Sequence, residues 1–580
     1  MSSIAAASGV ARPSAASRWL SLETFVLGGA ILSLVILVVL PVASLVVASL
    51  WSEDGVTLAY YERALTGGSY LRALGNSLTL GAWVGLISVI VGVPLAWAVS
   101  RTNVPGKPLI QATATLSYLS PPFLTSIAFV NLFSPNAGII NVLLRDVLGL
   151  GITFDIFTMS GLVFVTALHT FPFVYLLASS ALQSVDASYE EAAQILGASK
   201  IRTALTITAP LVAPAILSGT LLAFVNAIAL FGSQAIIGLP GRIVTLPTRI
   251  YALFDYPPQY GLAAALSLLF VAITVIALYL QRMFLARRSY VTLGGKGARS
   301  QLVDLGPWRW VLFGVCVLVC LFAVVMPFAS LIAVSLSKSW GLDFWQSLTL
   351  DNYRFILFEY DVTRRAILNS LVLATIAATA CVALGAIIGW IDVRTKMPGR
   401  RLLDYASLVP LGLPGIVMAV ALLQFWLSVP YIVLYGTFAI LLLAYIGRYV
   451  PLGVRAANSS LRQVDPSLEE AAHILGASWG HTMREITLPL IRPGLLAGWL
   501  LVFVPVVQEL SASILLFSSG TITLAVAVYN LYETGYIEPV SALAMVNMTI
   551  IVVAMLIAHR LGAGRKTVSD DSSTSFGGAR

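Results

Sequence analysis

Glu190-Glu191-Ala192-Ala193-Gln194-Ile195-Leu196-Gly197-Ala198-Ser199 recurs as Glu469-Glu470-Ala471-Ala472-His473-Ile474-Leu475-Gly476-Ala477-Ser478, 279 positions further along a chain of 580 residues. Around these segments, 19 of the 33 residues from Val185 to Leu217 are identical in the second copy. Shared apolar composition does not reproduce so many polar identities, and self-similarity at a fixed period marks a duplication. A charged segment kept twice in an otherwise oily chain reads as a docking element, and it divides the chain into two related halves.

The rest of the composition fixes the class. The chain is 58% hydrophobic and 10% charged, with a mean hydropathy of +0.91, whereas a soluble domain carries about 25% charged residues. It cannot present a wetted surface of ordinary size, so it reads as an all-α integral membrane protein. The net charge of +8 sits in short loops between apolar runs, with no aromatic platform beside it, which argues against a nucleic-acid partner. Cys316, Cys320 and Cys381 lie inside apolar runs and read as small buried hydrophobes, not as a disulfide framework or zinc site. The run Phe25–Leu50 is too long for the apolar part of a cleavable signal and reads as a retained anchor.

Runs long enough to cross a bilayer lie near 25–50, 75–99, 109–133, 160–182, 211–237 and 261–284, then near 309–336, 367–391, 403–428, 431–454, 490–517 and 539–559. Pro121-Pro122 and Pro135 threaten to break the third, and only Val429-Pro430 separates the ninth from the tenth. Lys and Arg collect before the first run and after every second one, at Arg12, Arg18, Arg101, Lys107, Lys200, Arg202 and Arg282, and again at Arg394, Arg400, Arg455, Arg462, Arg484 and Arg560. All these loops share one side if both termini are cytoplasmic, with Arg364 and Arg365 as the main exception. The expected plan is a disordered N-terminus (1–20), a first half (21–286) with its loop at about 186–210, and a cytoplasmic linker (287–306). A second half (307–562) with its loop at about 465–489 and a disordered tail (563–580) complete it. Six spans in each half and a cytoplasmic join give about 12 transmembrane helices in two parallel six-helix repeats.

Within each loop, Ser188-x-x-Glu191 and Ser467-x-x-Glu470 fit a capping box. Asp186 and Asp465 offer an alternative cap, with Pro466 at the first helical position. Either way a short helix starts here and breaks at Gly197 or Gly476, before a second helix climbs toward Pro210 or Pro489. Capping explains one acid per copy. It leaves unexplained why both acids, both alanines and the glycine recur together, whereas a flat alanine face and a sharp glycine turn suit a helix that projects toward another protein.

At these residues the chain resembles the permease subunits of bacterial binding-protein-dependent ABC importers, whose signature is Glu-Ala-Ala, three residues, Gly, nine residues, then Ile-x-Leu-Pro. The second copy matches in full through Glu470-Ala471-Ala472, Gly476, Ile486, Leu488 and Pro489, and the first departs only at Ala209. The resemblance covers about 20–560. It implies that Glu190, Glu191, Ala192, Ala193 and Gly197, with Glu469, Glu470, Ala471, Ala472 and Gly476, couple the chain to two copies of a cytoplasmic ATPase subunit. ATP and Mg would be bound by that ATPase, and a periplasmic or lipid-anchored binding protein would deliver the solute. The chain itself carries no cofactor: Gly294-Gly295-Lys296-Gly297 lacks the upstream glycine and the Ser/Thr that a phosphate loop needs, and no catalytic constellation is present. It therefore reads as an inner-membrane transport subunit and not an enzyme.

Polar residues placed within the expected spans five and eleven, Asn226, Gln234, Gln508 and Glu509, are candidates for the solute pathway, because such groups are costly in lipid. Asn76-Ser77 and Asn369-Ser370 read as structural helix starts. The fused arrangement most resembles the ferric-iron importers, and more loosely those for thiamine and aminophosphonates, on Ser120-Pro121-Pro122, the 136–151 loop and Leu246–Tyr251. A twelve-span ion-driven carrier is the competing class. It has no use for the paired Glu-Ala-Ala loops and would need more intramembrane acids than Glu509.

Overall fold

A computed structural model describes residues 22–286 and 302–563. The expected disordered ends (1–20, and 564–580 of the tail) and the first part of the linker, including Lys296, lie outside the described residues. The described chain is nearly all helix; its only ladder is the two-residue hairpin Trp51–Ser52 with Gly55–Val56. Among the described residues, ten helices are long and apolar enough to cross a membrane, or up to twelve if each bent pair counts as one span.

Two expected spans are not straight rods. Lys107–Leu119 and Pro122–Phe133 meet at an angle of 102°. Ser120 and Pro121 leave the helical region, as the residue before a proline does, and Pro122 starts the second piece where its missing N–H costs nothing. The repeat mate is interrupted in the same way at Leu413-Pro414, between Arg400–Gly412 and Gly415–Ser428, a break the run 403–428 did not announce. The tight turn expected at Val429-Pro430 is in fact a longer connection, because the next helix begins only at Phe438.

The fifth and eleventh spans also differ from expectation. They begin inside the repeated loops, at Ala204 and Trp479, and stop at Ala229 and Val507. Gln234, Gln508 and Glu509 therefore lie beyond the helix ends. Gln234 Nε2 donates to Ala227 O (2.9 Å) and Ile228 O (3.2 Å), two carbonyls that the ending helix would otherwise leave unpaired.

The chain folds as two compact units. Among the described residues, one comprises 41–286, 302–376, 412–445 and 503–563; the other comprises 22–40, 377–411 and 446–502. In the larger unit, Gly68–Arg101 packs along Met159–Ser184, and Ala209–Ala229 lies against both. Two short helices in this unit, Leu246–Ala252 and Leu524–Glu533, are anchored alike. Ser77 Oγ accepts from Leu246 N (2.8 Å) and Ser370 Oγ from Leu524 N (2.7 Å), while Asn76 donates to Val244 O (2.8 Å) and Asn369 to Ile522 O (3.0 Å). The Asn-Ser pairs thus serve as repeat-related clamps.

In the smaller unit, the helix ending at Arg394 approaches Phe438–Gln463 at Gly385 and Gly453. A Cβ added to Gly453 would sit 2.2 Å from the Cys381 carbonyl oxygen, so only glycine permits this separation. Trp390 and Trp479 pack edge to face with centroids 5.3 Å apart.

Candidate functional site

The two repeated loops are built alike, each within its own unit. Helix Met159–Ser184 ends as Val185 becomes extended, and Asp186 then caps Ala187–Ile195, its Oδ1 accepting from Ser188 N (2.9 Å). In the second loop Asp465 Oδ1 accepts from Ser467 N (2.9 Å), ahead of Ser467–Ile474. The Ser467 amide holds the Asp465 carboxyl below the usual carboxylate range. The aspartate alternative, not the serine box, describes these starts.

Both short helices end through a left-handed glycine. Gly197 (φ +88°) donates to Gln194 O and Ala198 to Ala193 O; Gly476 (φ +84°) donates to His473 O and Ala477 to Ala472 O. Ser199 and Ser478 then cap the following helices through the amides of Arg202 (3.3 Å) and His481 (3.4 Å). The Asp, the Gly and the Ser of each copy therefore have local tasks in a turn that reverses twice.

The two glutamates of each loop part company. Glu190 and Glu469 turn inward. Glu190 Oε1 accepts from Thr208 Oγ1 (2.7 Å), and Arg101 Nη1 lies 3.8 Å from its other oxygen. Glu469 Oε1 accepts from Thr487 Oγ1 (3.0 Å) and from Arg394 Nε (3.2 Å). The same arginines hold the chain just before each loop helix: Arg101 Nη2 donates to Val185 O and Arg394 Nη2 to Val464 O, both at 2.7 Å, and Arg394 also reaches Leu461 O (3.1 Å). Arg101 and Arg394 are the last residues of two 34-residue helices. Each loop is thus pinned to the end of its half's second span by one buried cation, which carries both a carbonyl and a carboxylate.

Glu191 and Glu470 are exposed, as are Ala192 and Ala471, while Ala193 is half-buried and Ala472 buried. At the tip, Ile195 and Leu196 are 85% and 88% exposed, and Ile474 and Leu475 are 85% and 87% exposed. Four large apolar side chains this free, at matching positions, have no folding role and form two small unpartnered patches. Beside the second loop lies a cleft of about 530 Å³, bordered by Arg394, Lys396, Glu469, Glu470, His473 and Thr487. Its counterpart of about 540 Å³ runs past Arg101, Glu190, Gln194 and Thr208, and the end of the linker, Leu302 to Leu305, together with Trp308 at the start of the second half, forms one side of it.

The sequence reading did not find Arg101, Arg394, Thr208 or Thr487 as partners of the loops. The threonines carried a signal, since both fall among the identical positions of the repeat. The arginines did not, because the segments between them and the loops differ in length between halves.

Of the four expected pathway residues, Gln234 is fully buried and engaged: besides its two carbonyl acceptors, its Oε1 accepts from Thr245 Oγ1. Gln508 donates to Leu119 O (2.8 Å), and Glu509 Oε1 accepts from Ala512 N (2.9 Å). Asn226 alone lies within a spanning helix, and its buried Oδ1 has no hydrogen-bond partner.

Residues 88–290 and 381–566 each match the family described as binding-protein-dependent transport system inner membrane component. The chain is 28% identical over 543 residues to the ferric transport system permease protein FbpB of Actinobacillus pleuropneumoniae, covering 91% of this chain and 77% of that one. It is 34% identical over 221 residues to the molybdenum transport system permease protein ModB of Escherichia coli (strain K12), covering 38% of this chain and 94% of that one. A chain from the crystal structure of a bacterial alginate ABC transporter, in complex with alginate pentasaccharide-bound periplasmic protein, aligns to 44% of this chain and 97% of its own length, with 18% identity and a TM-score of 0.37. Matched over both halves, the chain belongs to the binding-protein-dependent transport system inner membrane components, as a fused two-half permease subunit of ABC importers and not an enzyme.

Proposed function

We propose that this permease imports ferric iron and that each repeated loop seats in one copy of a cytoplasmic ATPase subunit. The observation that carries the coupling half of this reading is the matched pair of braced helices ending in exposed Ile195-Leu196 and Ile474-Leu475. A short helix held rigidly at its base and bare at its tip transmits a push or pull from a partner without unravelling. Glu190 and Glu469 supply the base, and Ala192, Ala471, Glu191 and Glu470 border the tip. On this reading the loops and both termini face the cytoplasm, where the Lys and Arg excess places them, and the binding protein docks at the opposite side. Two sockets on one chain call for two ATPase copies and no second permease.

Ferric iron as cargo is supported by the names of relatives aligned over most of the chain, among them FbpB of Actinobacillus pleuropneumoniae and a putative FbpB of Haemophilus influenzae. Thiamine or aminophosphonate import would use the same machinery. The test is reconstitution with the ATPase and binding protein. Changing Ile195, Leu196, Ile474 and Leu475 to Asp is expected to abolish ATPase co-purification and ferric uptake while membrane insertion and the thermal transition stay as in the wild type. ATPase retention by this variant overturns the docking assignment, and wild-type vesicles that take up no ferric iron overturn the cargo.

A further inference from the structure

The turn that follows the second span is built alike in the two halves. Arg101-Thr102-Asn103-Val104-Pro105-Gly106 recurs as Arg394-Thr395-Lys396-Met397-Pro398-Gly399, at an offset of 293 residues. Thr102 and Thr395 each bond back through Oγ1, to Ala98 O and Ile391 O (both 2.7 Å). Each also accepts from the amide two residues on, Val104 (3.2 Å) and Met397 (3.4 Å). Gly106 and Gly399 then turn left-handed, at φ +71° and +89°. Such a turn leaves a short edge of backbone to be paired, from Arg101 O to Asn103 N in one half and from Arg394 O to Lys396 N in the other.

In the first half the end of the linker takes this edge. Val303 lies parallel to Thr102, donating from its N–H to Arg101 O (2.7 Å) and accepting at its O from Asn103 N (3.3 Å). Leu302, Leu305 and Trp308 border the first cleft together with Trp97. In the second half, no backbone hydrogen bond joins Arg394 O or Lys396 N to another residue among the described ones. Thr395, Lys396 and Met397 border the second cleft together with Trp390. Trp479 Nε1, buried in the wall of that cleft, has no hydrogen-bond partner among the described residues. An unpaired backbone edge beside an unspent buried donor is a place that accepts an extended chain.

The register of the repeat says which chain. The span that begins at Trp308 and the first span align without a gap at an offset of 286 residues. Each holds a five-residue π turn, Leu321–Val325 and Val35–Val39, and then Pro-x-Ala-Ser-Leu, from Pro327 and from Pro41. Trp308–Cys320 packs against Lys107–Leu119, which directly follows the first turn, and Leu22–Leu34 packs against Arg400–Leu408, which directly follows the second. At this offset Leu22 corresponds to Trp308, Trp19 to Leu305 and Ser17 to Val303, so the helix start and the pairing position are equally far apart along both chains. We propose that residues 16–21, which immediately precede the described chain, add as a strand to the edge Arg394–Lys396, seat Trp19 beside Trp390, and border the second cleft as Leu302–Trp308 border the first. The polar latch of the first edge does not carry over. Asn103 donates to Asp304 Oδ1 (2.5 Å), whereas the corresponding residues are Lys396 and Arg18, two cations. The second strap is held by backbone bonds and one indole, and it releases more readily than the first. Because Arg394 also carries Glu469, the strap stiffens the second loop when docked and frees it when released.

The test is disulfide trapping in the purified full-length chain in nanodiscs, read by mass spectrometry of the linked peptides so that Cys316, Cys320 and Cys381 do not interfere. Thr102→Cys with Val303→Cys is the reference, since these residues already pair across the first edge. Ser17→Cys with Thr395→Cys is expected to link at least about tenfold faster than Ser3→Cys or Ser572→Cys with Thr395→Cys, whose partners meet only through a free chain end. Trp19→Ala is expected to slow the Ser17 link by about tenfold or more, the worth of one large apolar side chain leaving its seat. Trp19→Leu, which installs the residue type found at 305, should recover most of that loss. Arg18→Asp with Lys396→Asn rebuilds the latch and should speed the link by about tenfold, the worth of one hydrogen bond to a charged group. If Ser17→Cys links no faster than Ser3→Cys, or the rebuilt latch slows it, the strap is overturned. Faster linking from Ser572→Cys gives the edge to the other end of the chain and overturns it as well.

Discussion

Arg394→Met is the most informative perturbation of the loop architecture. Arg394 is 8% exposed and makes three charge-assisted contacts: Val464 O at 2.7 Å, Leu461 O at 3.1 Å and Glu469 Oε1 at 3.2 Å. Methionine fills much of the volume and removes all three. Glu469, 15% exposed, then keeps its hydrogen bond from Thr487. Stranding one member of a buried pair costs about 3–5 kcal/mol, and the partial exposure of Glu469 places this case near about 3 kcal/mol. At about 1.4 kcal/mol per tenfold, the opening equilibrium of the loop helix shifts by roughly 100-fold. Hydrogen exchange reads this directly at the amides of Leu475, Gly476 and Ala477, which close the helix end onto Ala471, His473 and Ala472. In nanodiscs these amides are predicted to exchange roughly 100-fold faster, with the spanning helices unchanged. Glu469→Gln should cost less, because Arg394 keeps both carbonyls, and adding it to Arg394→Met should cost little more, giving a coupling of about 1 kcal/mol or above. Glu190→Gln should be milder still, since Arg101 sits 3.8 Å away and its Nη1 makes no hydrogen bond. Exchange that rises less than about threefold, or strict additivity of the two changes, would refute the brace.

Two further outcomes follow from the glycines. At Gly476 a Cβ meets nothing within 4 Å, so Gly476→Val bears only the left-handed backbone cost of about 1–2 kcal/mol; the protein should insert with a near-normal thermal transition yet lose uptake, and uptake above half the wild-type rate counts against the turn's role. At Gly453 the obstacle is backbone, so Gly453→Ala forces two helices apart at about 1–3 kcal/mol; a clear drop in the thermal transition and membrane yield is expected, and an unchanged transition contradicts the close approach.

The sequence carried the architecture where a signal was either long or doubled. Apolar runs such as Phe25–Leu50 and Tyr260–Phe284 appear as helices within a residue or two of expectation, because length and hydropathy suffice in a bilayer. The loop helices were legible because the repeat separated their polar positions from filler. What stayed hidden depends on contacts distant in sequence or on helix ends inside apolar runs. Ala229 and Val507 end their helices in stretches of unbroken hydropathy, and the side chain of Gln234 supports the first of these ends by accepting the role of a missing turn. Arg101 and Arg394 looked like ordinary positive loop residues that set orientation, whereas their side chains are buried, at 2% and 8% exposure. The Leu413-Pro414 break was readable in principle, given that Pro121-Pro122 had raised suspicion at the corresponding span of the first half.

The end of the linker has a consequence for how the fused chain is made. Val303 N donates to Arg101 O (2.7 Å), Asn103 N to Val303 O (3.3 Å), and the Asn103 side chain joins Asp304 Oδ1 (2.5 Å) and Leu305 N (3.2 Å). These bonds sew the start of the second half beside the very arginine that supports the first loop. The cleft beside the first loop is thus bounded partly by the end of the linker, Leu302 to Leu305, and by Trp308, whereas the cleft beside the second loop is lined, among the described residues, wholly from its own half. The junction therefore makes the two loop clefts unequal: one is lined by its own half, the other also by the chain that joins it to its neighbour.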